Sequence, residues 1–145
     1  MQGKTKMQEI NAYEKQAQDF LTKYGLKIRV TSLGEDINPL WDDGETRPKY
    51  KITISKKRMG KKISFTFWDS IAHMQEGKEP SAYDILACIS GDTDIHEDFN
   101  EFCSAFGYDV DSIKALRIWR LYDRQSRRLH NFFSEQELED LREIC

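Results

Sequence analysis

Apolar residues recur at helical spacing in the first part of the chain. Ile10, Tyr13, Ala17, Phe20, Leu21 and Tyr24 stand three and four apart, which predicts a helix over 7–24 with one core-facing stripe. Gly25 follows, where a C-cap glycine belongs. The period then drops to two. Ile28 and Val30 alternate with Lys27, Arg29 and Thr31, predicting a strand over 27–33. Tyr50, Ile52 and Ile54 alternate with polar partners over 50–55, and Ile63, Phe65 and Phe67 do so over 62–68. The short link holding Met59 and Gly60 joins these two as an antiparallel hairpin. Residues 34–48, rich in glycine, proline and acids, read as a long loop, and 75–80 as a turn.

Beyond residue 80 the pattern is helical. Ser81 with Asp84 forms a variant capping box for a helix ending near Ile89, and 90–94 reads as a polar break. Ile95, Phe99, Phe102, Cys103 and Phe106 predict a helix over 95–106, stopped by Gly107. Ser112 caps a longer helix, about 113–131, with a stripe of Ala115, Trp119, Tyr122, Ser126 and Leu129 and Ile118 beside it. Ser134 with Glu137 is a capping box for a last helix carrying Leu138 and Leu141. The class is α+β: an N-terminal helix, a small antiparallel three-stranded sheet and a helical C-terminal half of about four helices. Residues 1–6 read as a loose, tag-like lead-in. Residues 7–145 read as a single domain, with a helix-and-sheet subregion over 7–74 and a helical subregion over 81–145.

Composition narrows the function classes. The 12% aromatic content argues against wholesale disorder, and a net charge of −3 gives no bulk pull toward nucleic acid. No run nears the roughly 18 apolar residues that span a bilayer, so a cytoplasmic protein without membrane contact is expected. The 3 cysteines, Cys88, Cys103 and Cys145, leave one over in any disulfide scheme, so free thiols in a reducing compartment are expected. No nucleophile elbow, phosphate loop or dinucleotide fingerprint is present. His96 and Cys103 lie seven apart on one helical face, the weak best of the metal candidates. Binding rather than catalysis is expected, with no cofactor and no metal.

Charge distribution says more than charge total. Lys56, Lys57, Arg58, Lys61 and Lys62 put five cations into seven residues at the hairpin tip. They form either a finger for phosphate or acidic groups, or a solvated turn that protects the sheet edge. Arg117, Arg120, Arg124, Arg127 and Arg128 line one face of the long helix. They serve either a partner or the acidic segments of the same chain. Those acids, over 92–111 and in the last helix, either mimic nucleic-acid phosphate or support helix N-termini. Trp41, in an acidic loop, is either folded back or an interface anchor.

Three ungapped blocks carry a resemblance: Ala12-Tyr13-Glu14-Lys15-Gln16-Ala17-Gln18-Asp19-Phe20-Leu21, Pro80-Ser81-Ala82-Tyr83-Asp84-Ile85-Leu86-Ala87-Cys88, and Asp98-Phe99-Asn100-Glu101-Phe102-Cys103-Ser104-Ala105-Phe106-Gly107-Tyr108-Asp109. In this order they resemble small phage and prophage proteins of Gram-positive bacteria, from about residue 10 to the end. The resemblance transfers no chemistry, but its setting implies an inhibitor of host defence such as an anti-CRISPR protein. The expected partner is a CRISPR–Cas effector, with or without its guide RNA, whose loading of target DNA would be blocked. The partner-binding residues would be Lys56, Lys57, Arg58, Lys61, Lys62, Arg117, Arg120, Arg124, Arg127, Arg128 and Trp41. A nucleic-acid-binding accessory protein and a small metalloprotein are the alternatives, and a monomer or weak dimer is expected.

Overall fold

The computed structural model describes residues 6–38, 44–57, 60–68, 79–94 and 98–145, with side chains from residue 12 onward in the first helix. Trp41, Arg58, His96 and most of the expected 75–80 turn lie outside the described residues. Helix α1 spans Lys6–Lys23. Three strands follow: β1 Leu26–Ile37, β2 Thr46–Lys56 and β3 Lys62–Trp68. Four helices complete the described chain: α2 Ala82–Thr93, α3 Phe99–Phe106, α4 Ile113–Phe132 and α5 Glu135–Ile144. The expected α+β class is observed.

The sheet is antiparallel in the order β1-β2-β3. Ile52 faces Val30 on one side and Phe65 on the other, and Ile54 faces Ile28 and Ile63. Tyr50, Ile52, Ile54, Ile63, Phe65 and Phe67 therefore bury on one face, as their alternation requires. The 34–48 region departs from the expected loop. β1 continues to Ile37 and β2 begins at Thr46, across a bulge between Ser32 and Glu35. Gly34 makes this possible, with a left-handed φ of 83°. Pro48 is tolerated because β3 ends opposite Lys49, so no third strand needs the missing N–H.

α2 also exceeds expectation, running through the expected break to Thr93. Thr93 Oγ1 donates to the Ser90 carbonyl at 2.9 Å, so these two polar residues bury without an unmet hydroxyl at Thr93. α3 starts with Asp98 as its N-cap and ends on left-handed Gly107, shorter than the expected 95–106. Both capping boxes form, Ser81 with Asp84 and Ser134 with Glu137.

The main core draws on both halves of the chain. Ala17, Phe20 and Leu21 of α1 meet the sheet, Ile85, Leu86 and Ile89 of α2, Leu129 and Phe132 of α4, and Leu138 and Leu141 of α5. A smaller cluster of Phe102, Cys103, Ala115 and Ile118 pins α3 to α4, with Phe99, Tyr108, Trp119 and Tyr122 around it. Trp119 is half-buried there, its ring 5.6 Å from that of Phe99. Tyr13 is the exception among the described side chains of the α1 stripe. It is exposed and stacks on Tyr83 at 5.1 Å, because α2 reaches α1 there with an aromatic edge rather than a core layer.

Candidate functional site

The arginine face exists as a surface. On α4, residues 115, 118, 126, 129 and 132 point into the core, and Arg117, Arg120, Arg124, Arg127 and Arg128 point to solvent on the opposite arc. Exposed Leu121 stands among them, and exposed Ile113 precedes them. Arg127 pairs with Asp123 one turn back at 3.1 Å. Arg128 Nη2 donates to the Ser64 carbonyl at 2.9 Å. Arg117, Arg120 and Arg124 make no ion pair with a described residue.

The Arg128 bond also locates the surface against the sheet. β3 is an edge strand, and the Ser64 carbonyl points off the ladder toward α4. Thr53 and Ser64 touch through their hydroxyls at 2.9 Å, as a non-hydrogen-bonded cross-strand pair does. Thr66, two residues on, therefore also turns its backbone groups outward. Between this edge and α4 runs a groove with two compartments. One, of about 360 Å³, is lined by Lys61, Lys62, Ile63, Arg128, Asn131 and Phe132. The other, of about 270 Å³, is lined by Thr66, Trp68, Leu121, Tyr122, Gln125, Arg124 and Arg128. Arg128 belongs to both, and among the described residues neither lining holds an acidic side chain. The hairpin lysines and the helix arginines, some sixty residues apart in sequence, thus meet along one basic groove.

The cations at the hairpin do not behave alike. Lys57, Lys61 and Lys62 are exposed. Lys56 is turned inward: its Nζ lies 2.8 Å from Glu137 Oε1, donates to the Phe132 carbonyl, and sits 4.8 Å above the Phe132 ring. Both side chains of this pair are nearly buried. Burial pushes the Glu137 carboxyl up, but the bonds from Lys56 and Ser134 outweigh it and hold the group below its ordinary range. The Lys56 charge is therefore neutralised within the fold.

The acids also have internal work. Asp94 meets Arg142 at 3.3 Å, and Asp36 meets Lys49 at 3.1 Å. Asp140 accepts from Lys23, Tyr24 and Gln136, bonds that pull its carboxyl down to about 2. Glu14 accepts from the backbone N–H groups of Ala82 and Tyr83, capping α2 from another helix.

A polar cluster lies behind the groove. Gln125 Nε2 donates to Asp92 Oδ2 at 2.7 Å, the Cys88 thiol lies 3.6 Å from the same oxygen, and Tyr122 Oη donates to Asn38 at 3.1 Å. Burial raises the Asp92 carboxyl to about 6, against the lowering effect of the Gln125 and Cys88 bonds. Burial and the neighbouring Asp92 charge push the Cys88 thiol well up, which leaves it a poor nucleophile. Burial also raises Tyr122. All three cysteines are unpaired. Among the described residues, no three His, Cys, Asp or Glu side chains gather as metal ligands, and no helix is long and apolar enough to cross a membrane.

Sequence reasoning missed two contributors to the groove. Trp68 Nε1 is buried without a hydrogen-bond partner among the described residues, and Lys49 Nζ lies 5.1 Å over its ring. Gln125 carries no sequence signal beyond its place beside the arginine stripe. Comparison with protein-family models, curated proteins and solved structures finds no match to this chain.

Proposed function

We propose that this protein acts by binding, as a phage-encoded inhibitor of a CRISPR–Cas effector nuclease, through the arginine face of α4 and the adjoining hairpin lysines. The observation that carries the binding surface is that Arg117, Arg120 and Arg124 are exposed with no ion pair to a described residue. Like charges held this close repel, and an anionic partner relieves that repulsion. Arginine offers a planar fork to carboxylate and phosphate alike, so the face suits an acidic protein surface or guide-RNA phosphate. The phage setting rests on the sequence resemblance. The mechanism is steric and electrostatic: a body of this size seated at a nucleic-acid channel blocks target DNA from loading.

The test is capture from host lysate with mass spectrometry, followed by cleavage assays with the captured effector. The double variant Arg120→Glu, Arg124→Glu is expected to fold like wild type and to lose capture and inhibition. Full inhibition by that variant would remove the arginine face from the mechanism. A second reading, direct contact with nucleic acid, is favoured by the recessed aromatic compartment of the groove.

A further inference from the structure

We infer that the groove between β3 and α4 takes single-stranded nucleic acid, with phosphates against Lys61, Lys62, Arg124 and Arg128 and a base in the compartment of Trp68, Leu121 and Gln125. This rests on the reading of α4 as the contact surface and names the ligand of its inner edge.

Three features select a single strand. The two compartments share Arg128 and differ in balance: Lys61 and Lys62 dominate the first, beside Ile63 and Phe132, while the second adds only Arg124 to a wall of Trp68, Tyr122 and Leu121 with the Gln125 amide and Thr66 hydroxyl. A nucleotide strand repeats that same alternation, an anion and then a flat polar-edged ring. An acidic peptide supplies the anions alone. Gln125 and Thr66 offer hydrogen-bonding groups beside Trp68 and Leu121, the arrangement that holds an unstacked base without demanding its identity. The aromatic wall is also recessed between a strand edge and a helix, so a duplex cannot present its stacked bases to it. The groove's cations, with no acid among its described lining residues, supply the sequence-independent attraction.

The experiment is titration of fluorescently labelled oligothymidylate by anisotropy across a salt series, with a duplex of equal length and polyglutamate as competitors. Contacts from Lys61, Lys62, Arg124 and Arg128 give an expected slope of log K against log salt near −3, at roughly −0.7 per contact on a single strand. Lys62→Glu and Arg124→Glu are each expected to weaken binding about tenfold or more and to flatten the slope. Trp68→Leu is expected to weaken it by about tenfold at unchanged slope, the mark of a stacking contact. Since Trp68 packs beside the sheet, circular dichroism accompanies that variant, and Arg124→Glu, at an exposed position, decides the matter if it misfolds. No binding at low salt, equal binding of the duplex, displacement by polyglutamate alone, or wild-type affinity in Lys62→Glu and Arg124→Glu would overturn the inference. Absence of oligonucleotide binding by the wild-type protein, with effector capture intact, strikes this inference only. Intact oligonucleotide binding with no effector captured supports it and strikes the inhibitor reading only.

Discussion

Asp92 links folding to protonation in the weakly acid range. Its carboxylate is half-buried between α2 and α4, held by the Gln125 amide and near the Cys88 thiol, with the Tyr122 ring close by. Two hydrogen bonds offset only part of the cost of removing the charge from water, and the pKa rises from 3.8 to about 6. The folded state thus binds the proton more tightly than the unfolded chain does. The contribution of Asp92 to stability is fully present below about pH 4 and is lost as pH rises through 6. At about 1.4 kcal/mol for each tenfold change in proton affinity, that rise is worth about 3 kcal/mol, and partial solvent access trims it to roughly 2–3 kcal/mol. Asp92→Asn keeps the size and the acceptor for Gln125 but cannot ionise. In urea unfolding at several pH values, the variant should gain on wild type by about 2–3 kcal/mol between pH 4 and 8, with most of the change falling between about pH 4 and 6 and little beyond. Any constant offset from the new amide N–H leaves that slope intact. A stability difference that stays flat from pH 4 to 8 would refute the reasoning, since it would mean that Asp92 ionises in the folded protein as it does in water.

Other outcomes follow from the same packing. Lys56→Met leaves the Glu137 carboxylate nearly buried without its ion pair, and should cost about 3–5 kcal/mol in chemical denaturation; Lys61→Met, at an exposed site, should cost almost nothing. Leu86→Ala opens a cavity where the side chain is fully buried, and should cost about 2–5 kcal/mol by the same measurement. Glu14→Ala strips the α2 N-terminus of a charged cap and should lower stability by about 1 kcal/mol. At Trp68, Trp68→Phe removes an indole N–H that has no partner among the described residues, so thermal unfolding should show little loss.

Much of the fold is legible in the sequence because its signals are local. The hairpin follows from two alternating runs across a short link, and α2 and α5 announce themselves through capping boxes that close within three residues. The arginine arc of α4 is legible too, since side chains on one helix share a face by spacing alone. The misread stretches fail for an equally specific reason. Ser90 to Thr93 reads as a break because polar residues usually mark one, but Asp92 finds Gln125 on another helix and Thr93 finds its own backbone. Residues 34–37 read as loop because glycine and acids avoid strands, yet pairing with β2 extends β1 past a bulge.

The sequence by itself thus determined the elements, their buried stripes and the clustering of cations at two places. Tertiary structure alone decided how those cations are used. It turned Lys56 inward to Glu137, eighty-one residues away, and left Arg117, Arg120 and Arg124 unpaired among the described residues. It also laid α4 along the edge of β3, so that two distant basic segments line one groove. Periodicity records which way a side chain points from its own element, because neighbours along the chain fix that direction. It carries nothing about which other element packs there, and so the acid that meets each cation is settled only when the core closes.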